Sequence, residues 1–352
     1  MNWEKNVRKV VPYTPGEQPQ QNDIVKLNTN ECPYPPAPGV VKAIEQADYT
    51  KLRLYPNPEA ESLVSALAQY YHVKEKQVFV GVGSDDVLAQ AFMTFFNSDQ
   101  PILFPNITYS FYDVWADLFR IPYKTIPIKE DFTIDFSQYK IKNGGIVIAN
   151  PNAPTGICAS VDEIEEVILA NQDVVVIVDE AYVDFGGESC LKLVDKYENL
   201  LVVQTFSKSR SMAGLRIGFA IGSEKLIKYL SDVKFSYNSY TMNQPSLLLG
   251  VEAVKDDAYF KEIVGKVVAT REHTKEELKK LGFHFPDSKT NFIFASHETV
   301  AAKVIFEELK KKNIFVRYFN KPGIDNYLRI SIGTDEEMEK LINALKEILS
   351  VC

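Results

Sequence analysis

The sequence predicts an α/β protein, a three-layer sandwich with a mostly parallel central sheet, accompanied by a smaller α+β domain. Two observations carry this. From about residue 44 to 250 short apolar runs alternate with amphipathic stretches, and after about 255 a long helix-period segment leads into short strands interleaved with helices. Strand and helix in alternation imply parallel strands, right-handed crossovers and helices on both sheet faces. The chain has 352 residues, which exceeds the size at which single cores stop growing, so one large domain and one smaller one are expected. The predicted division is an arm with part of the small domain over 1–43, a large cofactor-binding domain over 44–252 and a small C-terminal domain over 253–352.

Each element has its own signal. In residues 1 to about 40, Pro12, Pro15, Pro19, Pro33, Pro35, Pro36 and Pro38 exclude a regular helix and predict an arm laid over a surface. Strands are predicted at 77–80, 101–104, 145–149, 174–178 and 200–203, with helices at 85–96 and 161–170 between them. The run 174–178 is β-branched at every position without alternation, so it needs apolar cover on both faces and reads as a central parallel strand. A helix from about 255 reaches Leu281, with Gly282 placed to close it. Strands near 292–294, 315–317 and 327–331 and helices near 298–312 and 335–349 complete the second unit. There is no internal repeat and no low-complexity tract.

Composition narrows the function classes. Hydrophobic residues at 45% and charged residues at 24% are ordinary for a soluble globular chain. A net charge of -8 argues against a nucleic-acid groove or a polybasic membrane patch, so any anion site must be local. The apolar strings are far too short for a membrane span, and the start Met1-Asn2-Trp3-Glu4-Lys5 lacks the apolar core of a signal peptide. Cys32, Cys158, Cys190 and Cys352 are scattered without a CxxC pair, which predicts reduced thiols in a cytoplasmic protein. The four histidines show no HExxH or comparable spacing, and no metal site is expected.

Ligands of open α/β sheets bind at the carboxyl ends of the strands. There the chain places its chemistry. Lys208 lies in Thr205-Phe206-Ser207-Lys208-Ser209, just after the strand 200–203, and Arg216 follows shortly. An amine beside a hydroxyl and a guanidinium fork suits an aldehyde cofactor that carries a phosphate, and a lysine released from such a bond can shuttle protons. Asp179 follows the strand 174–178, where an acid can keep a pyridine nitrogen protonated, although the same position also suits a helix cap. Tyr182 would point its hydroxyl the same way. The rigid turn Asn150-Pro151-Asn152-Ala153-Pro154-Thr155-Gly156 can hold the Asn152 amide against a phenolate oxygen. In Val80-Gly81-Val82-Gly83-Ser84-Asp85-Asp86 a strand runs through glycines into a helix, leaving the N–H groups of Ser84 and Asp85 as a phosphate cradle. The dinucleotide fingerprint GxGxxG fails there at Asp86. Tyr109 can stack on a heteroaromatic ring.

These five motifs, covering essentially the whole length, resemble those of the fold-type I pyridoxal-phosphate aminotransferases. Pro12-Tyr13, Leu27-Asn28-Thr29-Asn30-Glu31, Leu54-Tyr55-Pro56 and Leu328-Arg329-Ile330-Ser331-Ile332-Gly333-Thr334 are similar to strings of the histidinol-phosphate aminotransferase family. The resemblance implies pyridoxal 5'-phosphate as cofactor, linked covalently to Lys208. It implies Asp179 at the pyridine nitrogen, Tyr182 at the ring oxygen, Tyr109 on the ring face, and Ser84, Asp85, Ser207 and Arg216 on the phosphate. Tyr55 would reach the phosphate in the neighbouring subunit, which makes the protein a homodimer with shared sites. Arg329 would hold a substrate carboxylate, Arg317 and Tyr13 a substrate phosphate, and Asn30 joins the substrate-binding group. The implied reaction is ping-pong transamination between L-histidinol phosphate and 2-oxoglutarate, giving imidazole-acetol phosphate and glutamate in histidine biosynthesis.

One position departs from that pattern. The family has asparagine directly before Pro-Thr-Gly, where this chain has Ala153, with Asn152 one place earlier. Either Asn152 reaches the ring oxygen through a shifted turn or Tyr182 makes that bond alone. Three alternative functions fit parts of the pattern: an aromatic or broad-range aminotransferase, a threonine-phosphate decarboxylase of the same fold, and a nucleotide-binding dehydrogenase or non-catalytic binding protein suggested by Gly81-Val82-Gly83. The last leaves Lys208, Asp179 and Arg216 unexplained.

Overall fold

The structure, a computed structural model, describes residues 3–351 apart from Asn22; Met1, Asn2 and Cys352 lie outside the described residues. The arm runs without helix or strand from residue 8 to 21 and then forms β1 (Val25–Leu27). Next come α1 (Pro38–Glu45), α2 (Glu61–Tyr71), β2 (Val78–Gly81), α3 (Ser84–Phe95), β3 (Ile102–Pro105), α4 (Tyr112–Phe119) and β4 (Tyr123–Ile126). They are followed by β5 (Ile146–Ala149), α5 (Val161–Ala170), β6 (Val176–Asp179), β7 (Leu200–Thr205), β8 (Gly218–Gly222), α6 (Glu224–Tyr237) and α7 (Gln244–Lys255). The strands from β2 to β8 make a seven-stranded sheet in the order β2-β8-β7-β6-β5-β3-β4.

Alternation within the strands builds the three layers. On β6, Val176 and Val178 face one core, with Leu63 of α2, Ile164 of α5 and Leu247 of α7, while Ile177 faces the other, with Leu88 of α3, Trp115 of α4 and Leu230 of α6. Every residue of β6 is buried, which is what its unbroken β-branched run requires. The sheet is parallel except at β8, which pairs antiparallel with both β2 and β7. The connection 206–217 holds no crossover helix, and without one a strand returns antiparallel.

The second unit contains α8 (Asp257–Lys280), β9 (Phe283–His284), β10 (Phe292–His297), α9 (Ala302–Lys311), β11 (Ile314–Tyr318), β12 (Leu328–Ser331) and α10 (Asp335–Val351). Gly282 follows α8 with φ of 80°, the left-handed conformation that closes a helix at little cost for glycine. Its five-stranded sheet has the order β1-β11-β12-β10-β9.

The arm differs from expectation. Residues 25–27 do not merely lie on a surface but form an edge strand parallel to β11, with Val25 opposite Ile314 and Leu27 opposite Val316. Val25 and Leu27 are buried with Lys26 turned outward, and this two-residue period is too short to stand out in a proline-rich stretch. Residues near the expected boundary at 43 also behave differently. Pro38 stands in the first turn of α1, where its missing N–H costs nothing, and Ala37 and Val40 pack into the core of the large sheet. The two units are tied together by Arg271 on α8, which is buried and donates through Nη1 to the carbonyls of Phe185 and Thr290, both at 2.8 Å.

Candidate active site

The carboxyl ends of β2, β3, β5, β6 and β7 lie along one edge of the sheet, so their following loops converge. A cavity of about 160 Å³ opens there, lined among others by Ser84, Asp85, Tyr109, Asp179, Tyr182, Ser207, Lys208 and Arg216. A second cavity of about 140 Å³ shares Thr29, Tyr109, Ala153, Tyr182 and Lys208 with it and extends to Tyr13, Asn30, Arg317 and Arg329. A groove of about 870 Å³ between α8 and α10 is larger, but none of these strand-end groups lines it. Converging chemistry, not size, marks the site.

The anion end is built from backbone and two charges. Helix α3 begins at Ser84 after Gly83, whose φ of 86° sends the chain sharply from strand to helix. The first N–H groups of a helix have no intrahelical acceptor and point outward at the positive end of its dipole. The two strands that frame this turn meet so closely that a Cβ on Gly218 would fall 2.2 Å from the carbonyl carbon of Gly83 and 2.3 Å from the nitrogen of Ser84. Arg216, itself left-handed at φ 53°, donates through Nη1 to Ser207 Oγ at 3.4 Å and through Nη2 to Asp85 Oδ2 at 3.2 Å. Tyr109 donates to the other oxygen of Asp85 at 2.8 Å.

At the opposite end Asp179 is only 5% exposed. Its Oδ2 accepts from the Tyr112 hydroxyl at 2.8 Å and its Oδ1 from the Ala181 N–H at 3.2 Å. Burial pushes its carboxyl up to about 6, with the charge of Asp85 adding to the rise, while the Tyr112 hydroxyl, the Ala181 N–H and the Lys208 charge oppose it.

Between these ends stands Lys208, whose amine donates to the Thr29 carbonyl at 3.2 Å and lies 5.7 Å from the centre of the Tyr182 ring. The Tyr182 hydroxyl accepts from Asn30 Nδ2 at 2.9 Å, which leaves its own proton to donate. Asn30 is held in turn by the Ser331 hydroxyl, through Oδ1 at 2.9 Å and through its N–H at 2.9 Å.

The small sheet walls the second cavity. Arg317 on β11 and Arg329 on β12 are directly opposite in the antiparallel register. Among the described residues their hydrogen-bond acceptors are backbone carbonyls alone: Thr14 and Pro15 for Arg317, Asn28 for Arg329. Arg329 Nε is buried without a partner among the described residues. Burial, with Arg317 alongside, pulls its guanidinium below the usual arginine range. Tyr13 closes this side, stacked on Phe111 with ring centres 4.1 Å apart.

One expected residue stands elsewhere. Asn152 is 2% exposed and does not line the cofactor cavity, which meets Pro151 and Ala153 instead. Its amide is fully engaged, accepting from Thr108 at 2.7 Å and donating to the Ile107 carbonyl at 3.0 Å, both from the loop after β3, and to Thr155 of its own loop at 3.1 Å. Asn152 thus departs from the expected shifted-turn arrangement, and Tyr182 is the hydroxyl donor left to meet a ring oxygen. Tyr55, expected to act in the neighbouring subunit, is 81% exposed and its ring centre lies 4.8 Å from that of Tyr240. Sequence reasoning missed Tyr112, Gly218 and Phe319. Only Phe319 had a usable signal, its two-residue spacing from Arg317 at the end of a strand.

The residues fit a phosphorylated pyridine aldehyde. A helix start and an arginine face one end of the cavity, a buried acid faces the other, and an amine stands between. The arrangement defines a class of enzyme in which a lysine and an electron-withdrawing ring act on amino compounds. Residues 22–345 match the aminotransferase class I and II family, and the chain belongs to it. It is 53% identical over 343 residues to the histidinol-phosphate aminotransferase of Brachyspira hyodysenteriae, covering 97% of each chain. The enzyme of that name from Clostridium acetobutylicum is 52% identical over 349 residues, with 99% of each chain covered. Among solved structures, the histidinol-phosphate aminotransferase from Sinorhizobium meliloti, in complex with pyridoxal-5'-phosphate, superposes with a TM-score of 0.85 at 24% identity, covering 93% of this chain and 91% of that one.

The acid supports a pH test. A carboxyl whose folded pKa is raised contributes stability that is fully present below its unfolded pKa near 4 and is lost as pH rises through about 6. Asp179→Asn should therefore raise the melting temperature of the cofactor-free protein most above pH 6, with the gain fading toward pH 4. Calorimetry of the two proteins across that range checks it.

Proposed function

We propose that the protein transfers the amino group of L-histidinol phosphate to 2-oxoglutarate, forming imidazole-acetol phosphate and glutamate in histidine biosynthesis, with pyridoxal 5'-phosphate as cofactor. The names of the relatives support the substrate, and one observation in this chain carries it: Arg317 and Arg329 face each other across two strands beside Lys208, bound only to backbone carbonyls. Two such cations can meet a phosphate ester or the second carboxylate of a dicarboxylate, which a site serving both half-reactions must do.

Pyridoxal phosphate, when bound, supplies an aldehyde that takes up the substrate's amino group and a ring that withdraws electrons from the carbon beside it. The remaining roles belong to this chain. The Ser84 and Asp85 N–H groups, Ser207 and Arg216 would hold the phosphate. Asp179 would pair with the ring nitrogen, Tyr182 would donate to the ring oxygen, and Tyr109 would cover the ring face. Lys208 would tether the cofactor and, once freed, move the proton at the substrate carbon. A lysine that must change partners needs weak ground-state contacts, and its bond to the Thr29 carbonyl is a long one at 3.2 Å to an uncharged acceptor. Arg317 and Tyr13 would bind the substrate phosphate, with Asn30 holding Tyr182 in place, and Arg329 would bind the carboxylate of glutamate.

The cellular setting and assembly belong to the same proposal. Among the described residues no helix is long and apolar enough to cross a membrane, and the enzyme is taken to be cytoplasmic. Tyr49, Leu52, Leu54 and Tyr55 form an exposed apolar run beside a cavity of about 450 Å³ lined by Ile44, Leu248 and Leu249. An apolar surface of that kind suits a second subunit, which would receive Tyr55 at its phosphate.

Arg317→Gln should raise KM for L-histidinol phosphate by roughly a hundredfold, the loss of a charge-assisted contact, and should weaken glutamate less, because Arg329 remains to meet a carboxylate. Steady-state kinetics of both half-reactions, with phenylpyruvate as competitor substrate, decide this. A clear preference for phenylpyruvate would instead favour the aromatic aminotransferase. The shared site has a separate test. Mixed and reassembled Lys208→Ala and Tyr55→Ala subunits should recover activity that neither homodimer has, because each mixed dimer holds one native site. No recovery in verified mixed dimers contradicts the assignment of Tyr55.

A further inference from the structure

We propose that Tyr112 is a positioning residue, which holds the Asp179 carboxylate ionised and fixes its plane toward the cofactor's ring nitrogen. The site's motifs do not include it, and no substrate or cofactor group need touch it.

Tyr112 is the first residue of α4 and is fully buried, at 0% exposure. Its ring packs among aromatic rings, with centres 5.8 Å from Phe104, 6.2 Å from Phe92, 6.3 Å from Trp115 and 5.7 Å from Tyr109. Packing of this kind asks for an aromatic ring, not for a hydroxyl. A buried hydroxyl must find an acceptor, and this one uses the side chain of Asp179, 2.8 Å away at the end of β6. The other Asp179 oxygen is held by a backbone N–H, so each oxygen has one neutral donor and the carboxylate still lines the cavity.

The other charged and titratable groups facing Asp179 act in opposite directions. Lys208, from the loop after β7, favours the carboxylate, and Asp85, from α3, disfavours it. Tyr109 and Tyr182 stand on the flanks of the same cluster. Among the groups that favour the charged form, the Tyr112 hydroxyl acts most strongly. Burial and the charge of Asp179 push the Tyr112 phenol well above its ordinary range, so it stays a donor at every working pH. An ionised acid at the ring nitrogen keeps that nitrogen protonated, and a neutral one does not. The catalytic consequence rests on the assignment of Asp179 to the ring nitrogen; the hydrogen bond and its effect on the acid do not.

The test is a carbon-13 carboxyl titration of cofactor-free protein, with the Asp179 signal identified by its loss in Asp179→Asn. Tyr112→Phe keeps the ring and should move the Asp179 midpoint up by about one unit or more. Installing 3-fluorotyrosine at 112, a stronger donor of the same shape, should move it down. Tyr139→Phe, which removes the partnerless hydroxyl of another fully buried tyrosine, should leave it unchanged. Pyridoxal phosphate should bind about tenfold more weakly to Tyr112→Phe, and that difference should vanish in the Asp179→Asn background. An unmoved midpoint in Tyr112→Phe, or equal weakening with and without Asp179, overturns the proposal. Unaltered pyridoxal phosphate binding in Asp179→Asn would instead overturn the ring-nitrogen assignment, and the midpoint tells the two failures apart.

Discussion

Asn30 sits in the left-handed region at φ 56°, and the site is assembled around the contacts that hold it there. Its N–H and side-chain oxygen meet Ser331 at the end of β12, its carbonyl accepts from Asn291 at 2.9 Å, and its amide nitrogen reaches Tyr182 at the end of the large sheet's loop. A left-handed asparagine costs something locally, and a network of four bonds more than offsets it. The same turn delivers the Thr29 carbonyl to Lys208 and the Asn28 carbonyl to Arg329. One short segment of the arm therefore sets Lys208, Tyr182 and Arg329 relative to one another.

The two charged ends of the cavity are handled differently. At the phosphate end Arg216 and Asp85 pair with each other across 3.2 Å and are both partly exposed, so the pairing is weak and open to exchange for a stronger anion. At the nitrogen end the acid is buried and has no cationic partner in direct contact. Its neutral donors leave it free to pair with a charge that arrives with the ligand. This division suits a cofactor with an anionic tail and a basic ring, and it explains why an amine can stand between the two ends without being captured by either acid.

The parts of the site that were legible in the sequence are local ones. A strand, its last residue and the following loop lie in one stretch of chain, so Asp179, Lys208 and the glycine turn before Ser84 announce themselves wherever a buried strand ends. What stayed hidden depends on contacts between distant segments. The burial of β1 against β11 is decided by partners nearly three hundred positions away, and the exact opposition of Arg317 and Arg329 is a matter of register. Asn152 shows the limit most clearly, since its residue type and place in the turn suit a ring contact, yet Ile107 and Thr108 from another loop occupy its amide. Tyr112 was invisible for the opposite reason: it reads as a core aromatic, and only the direction of its hydroxyl gives it a role.

The wall of the second cavity carries two arginines backed by aromatic rings, Phe292 and Phe319 lying 5.4 and 5.6 Å from the Arg329 guanidinium. Such a wall favours a planar ring carrying an anion. The most direct measurement is the visible absorbance of the purified, cofactor-loaded protein titrated with L-histidinol phosphate. The cofactor band should bleach in proportion to the imidazole-acetol phosphate released. A band that glutamate bleaches and L-histidinol phosphate leaves untouched would contradict the substrate while leaving the aminotransferase intact.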